Sequence, residues 1–249
     1  MLNTSFIFTA VLLSAVFHLS ARSVSYTFGK VELVEDSNNS SITTPVIGDP
    51  IPNNLFLGTG PGSRIEIING NDVWRLGSVS FASWKADNHF WIHSGSALYS
   101  SKEEKKVIFS TRHSSCTFTG KGTIIVEALE NGGLKFIPFE ASGFIYTDNG
   151  TQKELKDGRL LLILDSPSRL GDAYDIDLML MLKSSRLINA FPDLLPTFGQ
   201  MYLALYVQQL TLKGKFDALI GDAPTNDNLQ LWAFGKNLPT KSPKLPKTK

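Results

Sequence analysis

Positive-φ turn signals recur at short intervals between Phe90 and Leu164, at Ser94-Gly95, Asn131-Gly-Gly133, Asp148-Asn-Gly150 and Asp157-Gly158. They cut this part of the chain into pieces that suit strands and leave little room for helices. The pieces between them are apolar and β-branched: Phe90–His93, Ala97–Tyr99, Lys106–Ser110, Thr123–Ala128, Leu134–Phe139, Gly143–Tyr146 and Leu160–Leu164. Asn131-Gly-Gly133, joining Thr123–Ala128 to Leu134–Phe139, is the clearest hairpin. Many short strands with frequent turns predict a mainly β chain, as a sandwich, a barrel or a β-solenoid. The pattern does not choose among the three.

Upstream, Gly58 to Trp84 has the same character in denser form. Gly58-Thr-Gly-Pro-Gly62 is a turn, because glycine permits positive φ and proline fixes its own. Arg64-Ile-Glu-Ile-Ile68 and Val73-Trp-Arg-Leu76 are strand-like runs joined by Asn69-Gly-Asn-Asp72, and Gly77-Ser78 turns the chain into Val79–Trp84. In this reading Arg64 and Arg75 orient edges or pair with acids. Gly77→Val is costly if Gly77 adopts positive φ, and Arg75→Ala is cheap if the guanidinium is solvated. Nearer the N-terminus, Ser25–Phe28, Lys30–Val34 and Pro45–Ile47 are further short strand candidates around a polar loop, Glu35 to Thr44. Asn39-Ser-Ser41 in that loop fits an N-glycosylation acceptor.

In order along the chain stand Thr59-Gly60-Pro61-Gly62-Ser63-Arg64, Arg75-Leu76-Gly77-Ser78, Ser94-Gly95-Ser96-Ala97-Leu98, Ser110-Thr111, Thr119-Gly-Lys-Gly-Thr123, and Lys135 to Glu140 with Asp157-Gly158. This succession resembles the FecR domain over residues 28 to 165. It departs from the family at Gly122-Thr123-Ile124-Ile125, where Gly-Thr-x-Phe is usual, and at Phe139-Glu140-Ala141, where Leu-Glu-Gly is usual. Each swap keeps an apolar or a small residue in place. The resemblance implies a twisted, solenoid-like stack of short strands, a bacterial origin and a periplasmic setting. FecR regulators relay a signal through a membrane helix to a cytoplasmic domain. This chain has neither that domain nor a convincing anchor, so the regulator role does not carry over.

Phe6 to Leu19 is apolar but short for a bilayer span, and small residues at Ser20-Ala21-Arg22-Ser23 offer cleavage after Ala21 or Ser23. The stretch reads as a signal peptide, although Met1 to Ser5 has no lysine or arginine; an uncleaved anchor or an interfacial helix is the alternative. No other stretch approaches 18 apolar residues, so no transmembrane span is expected in the mature chain. A net charge of +1 argues against nucleic acid as a partner. The single cysteine, Cys116, has no intramolecular partner and reads as a buried small hydrophobe.

After Ser166 the period changes. Asp175 or Asp177 can cap a helix carrying Leu178, Met179, Leu180, Met181, Leu182 and Leu187, which Phe191-Pro192 ends. Its Ser185-Arg-Leu-Ile188 resembles a helix that follows the β domain in FecR-like exported chains. A second helix is expected from about Gln200 to Leu212, with Gly214 as its stop. Phe216–Ile220 and Leu229–Phe234 are apolar pieces able to dock. From Lys236 onward come five lysines, three prolines and no acid, which predicts a solvated tail. The expected division is a leader at 1–23, a FecR-like β domain at 24–165, a helical segment packing on it at 166–214, a docked piece at 215–235 and a basic tail at 236–249.

Candidate chemistry is sparse. His89 and His93 have a helical metal spacing, yet in a strand they stand about 13 Å apart. His113 adjoins Ser114 and Ser115, but neighbouring strand residues face opposite ways and no nucleophile elbow is present. Asp175-Ile-Asp177 lacks a calcium-loop continuation, so helix capping explains it better. Thr119-Gly-Lys-Gly-Thr123 lacks the spacing and the helix start of a phosphate loop, and reads as a turn. No catalytic, cofactor-binding or metal-binding residue is assigned, and no cofactor is expected. Two functions remain. The first is a non-enzymatic exported module contacting an envelope protein or polysaccharide. The second is a carbohydrate-active envelope enzyme, with Glu66, Glu127, Glu140 and Asp165 as the strand-borne acids to pair.

Overall fold

The computed structural model describes residues 22–35 and 42–212, together with two backbone strands at 217–219 and 232–234. Residues 1–21 of the expected leader, the Asn39 acceptor, Gly214 and the basic tail lie outside the described residues, whereas Ser23, the last residue of that leader, opens β1. The chain is mainly β, with a short helical segment toward its C-terminus. Its strands are β1 (Ser23–Phe28), β2 (Val31–Glu35), β3 (Ile42–Thr43), β4 (Leu55–Thr59), β5 (Arg64–Asn69), β6 (Asp72–Leu76), β7 (Phe81–Ala86) and β8 (His89–Ser94). They continue with β9 (Ser96–Ser110), β10 (Ser115–Ala128), β11 (Leu134–Thr147), β12 (Gln152–Glu154), β13 (Arg159–Leu164) and β14 (Arg169–Asp175). The helices α1 (Leu178–Ser184), α2 (Arg186–Asn189) and α3 (Phe198–Leu212) follow, then β15 (Asp217–Leu219) paired with β16 (Trp232–Phe234).

Three long strands organise everything else. The N-terminal half of β9 pairs with β6 through Val73↔Ser100 to Leu76↔Ala97, whereas its C-terminal half pairs in parallel with β8 through His89↔Ile108 to Trp91↔Ser110. β10 and β11 run alongside β9 through both halves. The first half of the sheet is therefore β1-β5-β6-β9-β10-β11-β13-β14, and the second is β2-β4-β7-β8-β9-β10-β11-β12. The strands bend where the ladder slips, between Gly120 and Gly122 and again between Thr123 and Ile124. Gly122 (φ 121°) and Gly143 (φ 126°) have conformations that only glycine adopts readily. Thr119–Thr123 is thus the interior of a bent strand, not the turn that its glycines predicted.

The bend folds the two halves over one another, and one hydrophobic core fills the space between. Trp74 from the first half meets Trp84 and Phe90 from the second, with ring centroids 5.5 and 4.8 Å apart, and Tyr99, Phe109, Phe118 and Phe136 continue the cluster. Of the arrangements left open by the sequence, the sandwich-like one is adopted. Among the described strands every pairing is antiparallel except β8 with β9.

A second core lies on the outer face of the first half. Leu98, Ile125, Ile137 and Phe139 alternate away from the first core. They are covered by Leu178 and Met181 of α1, Leu187 and Ile188 of α2, and Met201, Ala204 and Leu205 of α3. Asp177 caps α1, its Oδ1 accepting from the Leu180 N–H at 2.9 Å. The predicted first helix is broken at Ser185 into α1 and α2, and the segment after Ser166 opens with a strand, β14. Pro45–Ile47 is not a strand, and its Val46 and Ile47 are exposed.

Candidate functional site

The four acids set aside for paired-carboxylate chemistry do not converge. Glu66 on β5 is buried and accepts from Arg75 Nε at 2.7 Å and from the Ser25 hydroxyl at 2.8 Å. Glu127 and Lys135, opposite one another on β10 and β11, form a second buried ion pair. Asp165 sits in an exposed turn and pairs with Arg169. Glu140 has a perturbed carboxyl. Burial pushes it up to about 7, Asp157 adds to the rise, and the Thr197 hydroxyl, the Thr123 backbone and Lys121 oppose it. Its surroundings are a buried hydroxyl cluster, with Thr123 Oγ1 2.6 Å from Thr197 Oγ1 and 2.8 Å from Ser100 Oγ.

His89 and His93 both stand on β8. The His89 Nε2 meets the Ser110 hydroxyl at 2.7 Å, and burial holds this imidazole below its ordinary value, with Lys85 adding to the effect. His93 packs its ring against Phe81 and Trp91. The Ser114 hydroxyl donates to the Asp165 carbonyl, so it is tied to a turn and not to His113. Cys116 is 1% exposed, and burial pushes its thiol well up, away from a reactive thiolate.

The residues of the Gly58–Trp84 stretch lock one another. The Thr59 hydroxyl donates to the Gly77 carbonyl at 2.6 Å and accepts from the Ser80 N–H at 2.9 Å. The Ser63 hydroxyl accepts from the Lys30 N–H, and the Ser78 hydroxyl from the Gly62 N–H, each at 2.8 Å. Gly77 is tied to Ser96 by a 3.0 Å backbone bond. Gly77 does not have positive φ; Val79 does, at 53°. Gly77 matters because its neighbours come close: a Cβ there would lie 2.8 Å from Ser96 Oγ.

Arg75 overturns the expectation of a solvated side chain. It is fully buried beneath the helical segment. Besides Glu66, its guanidinium donates to the carbonyls of Leu187 and Ile188, both at 3.0 Å, and of Asp193 at 2.6 Å. The Phe191 ring lies over it, 4.4 Å from Cζ to the centroid. Two quoted pieces of sequence, Arg75-Leu76-Gly77 and Ser185-Arg-Leu-Ile188, are therefore bonded to each other. Arg75 satisfies carbonyls that the last turn of α2 leaves open.

One chemically distinct surface is the outer side of α3, whose exposure sequence reasoning did not single out. Residues 198–212 of α3 contain no charged side chain. Met201, Ala204 and Leu205 face the second core, while Tyr202, Leu203, Tyr206, Val207 and Leu210 are 52–64% exposed. The signal was present as a helix without a charged face, which a surface helix ordinarily has. Among the described residues no helix is long and apolar enough to cross a membrane.

No protein-family model matches the chain, and no curated protein matches it in sequence.

Proposed function

We propose that this chain is a non-enzymatic, exported FecR-like module that works by contact with another protein of the bacterial envelope. The observation that carries this reading is the outward face of α3. Five large apolar side chains lie on one uncharged helical surface, held in place by a core on the opposite side. Covering such a face gains roughly 1 kcal/mol per half-exposed side chain, which is enough in sum for specific association. The occupant we assign is an apolar surface of a partner protein, because a face without charge offers neither steering nor ion pairs. The ordered pieces that resemble FecR, and their mutual hydrogen bonding, support the family side of the reading.

The enzyme alternative draws on Glu140 alone, whose value near 7 suits a general acid. Two of its three intended companions are held in buried ion pairs instead.

Leu203→Asp with Tyr206→Asp tests the proposal, since both side chains are exposed and the fold should melt as before. Photo-crosslinking from Val207 in envelope preparations should give a discrete heterologous adduct that the double variant loses. An adduct unchanged by the two aspartates would overturn the assignment. An adduct of the chain with itself would replace the partner by a second copy.

A further inference from the structure

β12 and β13 both pair with the same edge of β11, but at opposite ends. β12 lies against Phe144–Tyr146, and β13 against Leu134–Phe136. The chain crosses between them at residues 155–158, so the sheet edge is interrupted there. A cavity of about 210 Å³ opens at the interruption, lined by Lys153, Glu154, Lys156, Arg159, Leu161 and Ala173.

Its chemistry follows from strand alternation. Leu161 and Ala173 are directly opposite on β13 and β14, and both belong to the edge of the inner core. Arg159 and Asp175 are the next pair along, on the same face, with Arg159 Nε 3.1 Å from Asp175 Oδ1. Lys153 is opposite Ile145, another inner-core residue. The apolar floor is therefore the end of the sandwich core, and the rim where that core reaches solvent is cationic. Lys153, Lys156 and Arg159 line it with one acid, Glu154, and Arg159 is already paired with Asp175. Among the described residues neither Lys153 nor Lys156 has an ion-pair partner.

We propose that this cleft binds a small organic carboxylate of about the size of one sugar-acid ring. The volume is below the roughly 300–1,000 Å³ of sites for drug-sized ligands, which limits the occupant to a compact molecule. The ammonium groups of Lys153 and Lys156 receive the carboxylate, and Leu161 with Ala173 receive the C–H face of its body. The proposal is independent of the role given to α3.

Glucuronate titrated into the intact chain should shift the Leu161 methyl and Ala173 methyl resonances at concentrations up to roughly 10 mM. Lys153→Ala with Lys156→Ala, both outside the core, should leave the melting temperature unchanged and weaken binding about 10-fold or more. Neutral glucose should give no shift. Absence of any shift with glucuronate overturns the proposal, as does binding unaffected by the double variant. Inorganic phosphate or glucose 6-phosphate binding as tightly as glucuronate would overturn the carboxylate assignment.

Discussion

Arg75 and Gly77 are two residues apart, and burial reverses the ranking that their types alone predict. Removing one partner of a buried, hydrogen-bonded pair costs about 3–5 kcal/mol, because the other charge is left uncompensated. Arg75→Ala orphans Glu66 and three carbonyls at once, so urea denaturation should find a loss in that range. Gly77→Val must displace the Ser96 hydroxyl and should cost about 1–3 kcal/mol. Equal losses, or a larger one for Gly77, would contradict the packing described here. Glu140 gives a pH signature. Its carboxyl titrates near 7 in the native chain against an ordinary 4.5, so the native state retains a proton that the unfolded chain has released between those values. The resulting stability is fully present below about pH 4.5 and is lost as pH rises through about 7. Partial solvation limits it to about 1–3 kcal/mol. Thermal melts should show Glu140→Gln removing most of the fall between pH 5 and 7.5. An identical pH profile in the variant would exclude Glu140 as its source.

Among the elements, those built from local signals are the ones the sequence revealed. Asn131-Gly-Gly133 makes the β10–β11 connection, Asp177 caps α1, and the runs at Arg64–Ile68 and Val73–Leu76 pair as β5 and β6. What was hidden is long-range. Gly120 and Gly122 read as a turn because glycine is permissive in a turn and in a bent strand alike, so β10 appeared as a shorter piece. β14 was missed since Arg169-Leu-Gly-Asp-Ala-Tyr-Asp175 has no apolar alternation. The burial of Arg75 depends on carbonyls more than a hundred residues away, which no local pattern encodes. The bend itself is testable. A Cβ on Gly143 would overlap the Thr119 carbonyl at a φ of 126°, so Gly143→Ala should destabilise by at least about 2 kcal/mol. Gly150→Ala is the control, where only φ resists and no neighbour lies within contact distance. A Gly143→Ala chain that melts with the Gly150→Ala chain would mean that the strands do not cross so closely.

At the scale of the whole molecule, Arg22 is anchored in the fold, and this bears on processing. Arg22 is 6% exposed; its side chain donates to the Ile51 and Asp87 carbonyls and to Asn53 Oδ1, and stacks on Trp84 at 5.1 Å. Cleavage after Ser23 would discard these contacts along with the first residue of β1, whereas cleavage after Ala21 would keep them. We therefore expect N-terminal sequencing of exported material to begin at Arg22; a start at Val24 would show that the anchor is dispensable. The shared central strands carry a different consequence. Because β9, β10 and β11 belong to both layers, neither layer has a boundary along which it could detach and remain intact. Unfolding of the sandwich is then all-or-none in spite of its length. Amide protons at Leu98 and at Phe109, in opposite layers but on one strand, should exchange with the same opening free energy.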